Sequence, residues 1–467
     1  MTGESPGAHP YMPNSVPDTK VAMLAAIGAE SVEALFAQIP ADHRLKAPLR
    51  LPPALRAESE LKRHLEDLLA RNETCEANLS LLGGGCWQHY VPAVCDEIAG
   101  RSEFLTNVWG TASSDHGRNQ AWFEFASQLG ELVGADLVGL PVYSWGCATG
   151  HAIRMASRLT GRREVLVPRA ICPERLSVIR NYCEPAEMPS QIAVVPVDYD
   201  PATGLMRLDD LAAKLSTRTA AVYLENPTYL GVIESQAAEI ARLARGKGAL
   251  TIVGVDPISL GVLAAPTDYG ADIVVGTTQP LGVPMYAGGG VGGFIASGDE
   301  ERFAREYPTL LISITGTTKP GERGFGLSLA HQTSYGMRDQ GKDWTGNSVY
   351  LWAIVNAVYM ALLGPEGFRE LGELILHRSH YAAKRLAAVP GVRVAFPSGF
   401  FKELVVSFEG RTVREVNAAL RERRIFGGRD LSADFPELGQ SALCCVTELH
   451  TKDDIDRLAG ALGEVVA

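Results

Sequence analysis

The chain is poor in cysteine, in basic charge and in long apolar runs, and each shortage excludes something. Its eight cysteines, Cys75, Cys86, Cys95, Cys147, Cys172, Cys183 and the pair Cys444-Cys445, contain no C-x-x-C spacing. Zinc-ribbon and thioredoxin-type readings therefore have no support, and no metal site is expected. Reduced, buried thiols in a cytosolic protein account for cysteines used this way. Lys and Arg number 43 against 54 Asp and Glu, a net charge of −11. With no basic block to offset it, neither nucleic acid nor an anionic membrane surface is an expected partner. No uninterrupted apolar run reaches the roughly 18 residues that span a bilayer. The start, "MTGESPGAHPYMPNSVPDTK", lacks a basic region leading into an apolar core, so it does not read as a signal peptide. The expectation is a soluble, cytoplasmic protein.

What is present is the composition of an ordinary soluble globular protein, 46% hydrophobic and 21% charged over 467 residues, long enough for two or three domains. Residues 1–75 read as an N-terminal helical arm. In "TKVAMLAAIGAESVEALFAQIP" and "SELKRHLEDLLARN" apolar residues recur at helical spacing, with Pro40, Pro48, Pro52 and Pro53 between the two segments. Residues 76–343 read as a large α/β domain. Amphipathic segments such as "QAWFEFASQLGELVG" and "QAAEIARLARGKG" alternate with the short apolar runs "EVLVP", "IAVVPV", "TAAVYLENP", "LTIVGVD" and "ADIVVG". Continuous β-branched runs suit strands covered on both faces, and their alternation with helices predicts a mostly parallel sheet. Residues 344–467 read as a smaller α+β domain. It opens with a long helix broken at Gly364-Pro365 and closes on the amphipathic "DDIDRLAGALGEVV".

Five segments carry candidate chemistry. "CATGHAIRMA" is a small-residue turn opening a helix, where free N–H groups suit a phosphate, with Thr149 and Gly150 as the contacts; a plain helix start reads the same way. "IVGVDPISLG" places Asp256 at the carboxyl end of a buried strand, the ligand-binding edge of an open sheet. Pro257 makes Asp256 equally a helix N-cap. "YLENPTYLGVIE" brings Asn226 and Tyr229 over the same edge, and "LLGGGCWQHYVP" sets His89 after three glycines that permit close backbone approach. The fifth, "ADIVVGTTQPLGVPMYAGGGVGGFIA", is a buried strand, a polar turn tipped by Gln279, and a glycine-rich return to a second strand.

Taken in order, "GGGCWQHYVPAV", "RSEFLT", "ENPTYLGVIE", "VGVDPISLG", the "TTQPLGVP" turn with its glycines, and "GERGFGLSLAHQTSYGMR" resemble the P-protein of the glycine cleavage system, a pyridoxal-phosphate glycine decarboxylase. The similarity is to the first subunit of the forms split in two. It implies a fold-type I aminotransferase-like large domain and a smaller C-terminal domain. It also implies a Schiff-base lysine on a second P-protein-like subunit, with Gln279 standing in the corresponding turn here, and a lipoylated H-protein as acceptor of the aminomethyl group. By the same resemblance Asp256 would face the pyridinium nitrogen of pyridoxal phosphate, and Thr149, Gly150, Asn226 and Gln279 would line a vestigial cofactor site. No catalytic residue of this chain is expected. Lys319 and Lys342 lie in polar loops and lack the rigid strand-end placement an imine-forming amine needs. The stretches "LTNVWGTASSDHGRNQ", "YSWGCATGHAIR" and "LAHQTSYGMRDQGKDWTGN" depart from the family's usual wording. They leave open a divergent member acting on another amino acid, or a non-catalytic subunit.

Overall fold

The computed structural model describes residues 11–47, 49–104, 112–286, 291–328, 337, 341–345, 348–396 and 399–466. The chain forms two compact units, Met1–Glu73 and Thr74–Ala467. In the first, α1 (Pro17–Ala26) starts on a proline, whose missing N–H and fixed φ suit the first helical position. Helix α2 (Glu58–Leu69) carries Glu58 and Glu60 where its dipole favours acids. Leu61, Leu65 and Leu68 share one face of α2 and are 42%, 48% and 42% exposed, so this unit carries an uncovered apolar stripe.

In the second unit the short apolar runs become strands. They are β1 (Leu79–Ser80), β2 (Leu137–Val138), β3 (Glu164–Pro168), β4 (Ala193–Val197), β5 (Thr219–Glu225), β6 (Leu250–Val255), β7 (Ile273–Thr277) and β8 (Gly293–Ser297). Seven of them form one sheet in the order β2-β8-β7-β6-β5-β3-β4. The five from β7 to β4 are parallel, and β8 runs antiparallel to both its neighbours. Both faces are buried, and the period of two sorts each strand between two cores. Val222, Leu224, Val253 and Val255 face a core built with Trp122, Leu129, Ile240 and Ile354. Ala221, Tyr223, Ile252 and Val275 face another, built with Ala148, Ala152 and Ile179. The helices that supply these covers are α3 (Ala93–Ala99), α4 (Ala112–Val133), α5 (Trp145–Thr160), α6 (Pro173–Cys183), α7 (Leu208–Lys214) and α8 (Ala237–Gly246). This is the mostly parallel, doubly covered sheet that the alternation predicts, and it agrees with the fold-type I aminotransferase-like large domain that the resemblance implies.

After the short α9 (Glu301–Ala304), a hairpin of β9 (Leu311–Gly316) and β10 (Arg323–Ser328) stands outside the main sheet; the sequence reading did not assign it. Helix α10 (Tyr350–Ala387) is interrupted at Gly364 (φ 57°, ψ −180°), because the residue before Pro365 is driven out of the helical region. By length and mean hydropathy α10 is apolar enough to cross a bilayer, although Asn356 and Gly364-Pro365-Glu366 interrupt its apolar run. Its Ala353, Ile354, Ala357 and Met360 are nevertheless packed in the core of the large sheet, as a core helix requires.

The rest of the chain adds β11 (Val392–Val394), β12 (Glu403–Phe408), α11 (Val413–Glu422), β13 (Ile425–Phe426), β14 (Arg429–Asp430), β15 (Ser441–Cys445) and α12 (Lys452–Val466). Strands β11-β12-β15-β14 form an antiparallel sheet with its own core. A capping box fixes the start of α11: Thr412 Oγ1 accepts from the Glu415 N–H while the Glu415 carboxylate accepts from the Thr412 N–H. Parallel pairing of β1 with β13 forms a separate two-stranded sheet, and the Cys445 N–H donating to the Leu81 carbonyl at 2.8 Å then sets the glycine-rich segment beside β15.

Candidate functional site

From β3 the chain moves outward to β4, and from β5 it moves the other way to β6 and β7, so the topological switch lies between β3 and β5. Ligands of open α/β sheets bind outside the carboxyl ends of the strands near such a switch. Glu225 ends β5, Asp256 follows β6, and Gln279 lies two residues beyond β7. The cleft there is lined by Trp87, Trp145, Arg175, Glu225, Asp256 and Lys402, among others.

Gln279 is 2% exposed and its amide is fully used. Oε1 accepts from the Trp87 N–H at 3.0 Å, and Nε2 donates to the carbonyls of Trp87 (3.0 Å) and Val283 (3.2 Å). The amide thus pairs with the Trp87 backbone as a strand neighbour would, and pins the glycine-rich segment into the cleft. That segment has little slack. A Cβ on Gly83 would lie 2.4 Å from Glu403 Oε1, while Gly84 at φ 89° donates its N–H to the same oxygen at 2.5 Å. Burial pushes the Glu403 carboxyl up, and the Gly84 N–H holds it partly down.

Asp256 serves in two ways at once. Oδ1 caps Ile258 N–H at 3.2 Å, the N-cap that Pro257 suggested. Oδ2 faces Lys402 Nζ at 2.7 Å, a close ion pair without hydrogen-bond alignment. Lys402, which leads into β12 and is 2% exposed, also lies 2.9 Å from His89 Nε2 and 3.5 Å above the centre of the Trp87 ring. An ammonium has no lone pair, so Nε2 of His89 accepts and its Nδ1–H donates to Glu448 Oε2 at 2.8 Å. Burial alone would raise the Glu448 carboxyl, but His89 and the Tyr90 N–H hold it at about 2. A chain of polar contacts thus runs Asp256–Lys402–His89–Glu448.

On the opposite wall, Arg175 from α6 grips Glu225 with two bonds (2.6 and 3.0 Å) and covers the Trp145 ring at 3.8 Å. The Tyr223 hydroxyl donates to the same carboxylate at 2.7 Å.

The remaining residues singled out in the sequence are occupied elsewhere. Helix α5 begins at Trp145, with Ser144 as N-cap, so Thr149 and Gly150 lie in its second turn and not among its free N–H groups. The Thr149 hydroxyl donates to the Trp145 carbonyl at 3.0 Å. Gly150 admits Tyr182 so closely that a Cβ would meet its ring at 2.6 Å. Asn226 Oδ1 accepts from the Glu234 N–H at 3.1 Å and ties down its own turn. Tyr229 packs its ring 5.9 Å from that of Phe435. Lys319 is exposed beside Glu322, and Lys342 pairs with Glu306. Residues 105–111 and most of 329–347, where the sequence departs from the family wording, lie outside the described residues. Lys402, Glu448 and Arg175 were not anticipated. Their partners are remote in the chain, Lys402 and His89 being 313 positions apart, and no local spacing signals such a meeting.

Fold and cleft together define the class, an α/β protein built like the fold-type I pyridoxal-phosphate enzymes. The family model described as Glycine cleavage system P-protein matches residues 9–462. The probable glycine dehydrogenase (decarboxylating) subunit 1 of Desulfitobacterium hafniense is 36% identical, over 97% of this chain and 99% of that protein. The protein of the same name from Staphylothermus marinus is 35% identical over 98% of each. A crystal structure of glycine decarboxylase (P-protein) of the glycine cleavage system, in inhibitor-bound form, superposes with a TM-score of 0.85 at 34% identity, covering 96% of this chain and 98% of that one. A sphingosine-1-phosphate lyase of Burkholderia pseudomallei, 15% identical, shares the fold with a TM-score of 0.64 over 90% of this chain and 93% of its own. The chain belongs to the glycine cleavage system P-protein family.

That family depends on pyridoxal phosphate, and the residues of this cleft do not fit it. Asp256 already faces an ammonium, the Gln279 carboxamide is committed to the Trp87 backbone and cannot form an imine, and Thr149 is bonded within its helix. The space left is about 20 Å³, enough for about one water molecule. Pockets for ligands of cofactor size run to hundreds of Å³.

Proposed function

We propose that this chain is the subunit without the Schiff-base lysine in a two-subunit glycine decarboxylase, complete only with a P-protein-like partner that supplies the imine-forming amine and holds pyridoxal phosphate. The assembly decarboxylates glycine and passes the aminomethyl group to a lipoyl-bearing H-protein. One observation carries this reading. At the turn after β7 stands Gln279, whose amide is committed to the Trp87 backbone and has no nucleophilic amine. The name "subunit 1" of the relatives supports a second subunit, as does the uncovered leucine stripe of α2. The division of the chain into an N-terminal arm, a large domain to residue 343 and a C-terminal domain belongs to the same reading.

The test is reconstitution. Expressed alone and mixed with pyridoxal phosphate, the chain forms no imine absorbance and no borohydride-fixed adduct. Co-expressed with a lysine-bearing homologue, it co-purifies, and glycine-dependent CO₂ release requires both chains. A stable lysine adduct in the isolated chain, or full activity of the homologue alone, would overturn the reading.

A further inference from the structure

We infer that Lys402 is the resident ligand of this cleft: its ammonium takes the Asp256 carboxylate and the Trp87 face that a planar cationic cofactor would need, so the subunit is closed to such a cofactor by its own side chain. The argument starts from what a buried ammonium demands. It carries a full charge, and burial is tolerated only where that charge is met. Here His89 Nε2 accepts at 2.9 Å, Asp256 Oδ2 lies at 2.7 Å as the ion-pair partner, and the Trp87 ring centre lies at 3.5 Å, so a lone pair, a carboxylate and an aromatic face meet the one ammonium.

The lysine is also held from behind. Its carbonyl accepts from the Val446 N–H at 2.8 Å, which fixes its backbone beside β15. Glu448, three residues past β15, grips the far nitrogen of His89. Lys402 and Glu448 therefore reach from the small sheet around His89 to a carboxylate at the end of β6 in the large sheet. This contact is a seam as well as a plug.

Lys402 is not a displaced imine-forming lysine. A carboxylate at Asp256 suits the nitrogen end of a pyridine ring, and the carbon an amine would attack lies across that ring. An amine held against Asp256 is on the wrong side for attack. The inference rests on the two-subunit reading only for the identity of the excluded cofactor; the contacts of Lys402 stand without it.

The test exploits a size match. In Lys402→Ala the atoms removed are those of propylammonium. Thermal unfolding of the full-length variant should start several degrees below wild type. Propylammonium chloride should restore about half or more of that loss, because a ligand bound only by the folded state stabilises it. Sodium chloride and tetramethylammonium chloride at equal ionic strength should restore none, and wild type should not respond to propylammonium. Equal recovery with all three salts, or no loss in Lys402→Ala, would overturn the inference.

Should Lys402→Ala not fold, Asp256→Asn/Lys402→Met decides. A buried pair replaced by neutral groups of similar shape is tolerated where either single change is not. A double variant no more stable than Asp256→Asn alone would count against the pairing. Stoichiometric retention of pyridoxal phosphate by the wild-type chain on gel filtration would refute the exclusion. Glycine activity without a partner, accompanied by intact propylammonium rescue, would sink the two-subunit reading alone.

Discussion

Replacing Gln279 by methionine tests whether the turn residue is a structural staple or an idle remnant. Methionine keeps the length of the side chain and removes its polarity. Three hydrogen bonds are lost, and the Trp87 N–H, buried and 3.0 Å from the departed oxygen, is left without an acceptor. A stranded buried donor costs about 1–3 kcal/mol, and two weakened carbonyls bring the expected loss to about 2–4 kcal/mol. Urea unfolding followed by tryptophan fluorescence measures it directly, because Trp87 belongs to the segment released. Gln279→Lys should be worse than Gln279→Met. It can donate to the two carbonyls but cannot accept from Trp87, and it brings a second ammonium to a cleft that already holds Lys402. A Gln279→Met variant within about 0.5 kcal/mol of wild type, the range of ordinary surface changes, would refute the staple. A fully stable Gln279→Lys would do so as well.

Arg175→Met should cost about 3–5 kcal/mol in the same assay, because Glu225 keeps its charge in a buried site with only the Tyr223 hydroxyl on it. Adding Glu225→Gln should recover part of that loss. Gly83→Ala should lower the unfolding free energy by about 1–3 kcal/mol, since the new Cβ would lie 2.4 Å from Glu403 Oε1 and 2.7 Å from Cys445 Cβ, and both sit on buried sheet. His151 is held down to about 4 from an ordinary 6.5, chiefly by burial, with Arg158 and Arg154 adding to the effect and Asp343 opposing it. Its folded state takes up the proton later than the unfolded chain does. Its stability contribution is therefore complete above about pH 6.5 and falls, by up to about 3 kcal/mol, as pH drops toward 4. His450, also lowered by burial, works in the same sense. Unfolding free energy measured across that window should show the slope, and His151→Gln should flatten it.

How far the sequence could be read depends on whether the deciding forces are local. Strands β3, β5, β6 and β7 were legible because a strand buried on both faces must be apolar along its whole length, and a few residues suffice to show it. The break in α10 was legible because Gly364-Pro365 is a local steric statement. Residues 311–328 read as nothing in particular, since beyond the buried Leu311 and Ile312 strand β9 is exposed and its Thr, Ser and Gly carry little pattern. The start of α5 was misplaced by two residues, from Trp145 to Cys147, and this moved Thr149 and Gly150 to the helix N-terminus. Ser144, a good N-cap, was the signal that would have set it right. Asp256 and Gln279 could be found because strand-end polarity is local. Lys402 could not, since "KELVVSF" reads as any strand with a charged first residue.

The turn at Gln279 keeps its shape for reasons independent of its tip. Thr277 Oγ1 accepts from the Gln279 N–H at 3.2 Å, and Asn356, fully buried in α10, donates its amide to the carbonyls of Thr278 (3.0 Å) and Leu281 (2.8 Å). Backbone geometry is thus set by β7 and α10, so the residue at the tip can change without unmaking the turn. What the tip residue must then satisfy is set by the buried groups around it. Two buried polar demands arise there: the peptide of Trp87 needs a donor and an acceptor, and the Asp256 carboxylate needs a cation. A carboxamide meets the first and Lys402 the second, from opposite sides of Trp87 in the chain's three-dimensional order: one grips its backbone and the other lies on its ring. Placing a lysine at 279 alone would therefore undo the first solution while leaving the second in place, which is why that single substitution should not open this cleft to a ligand.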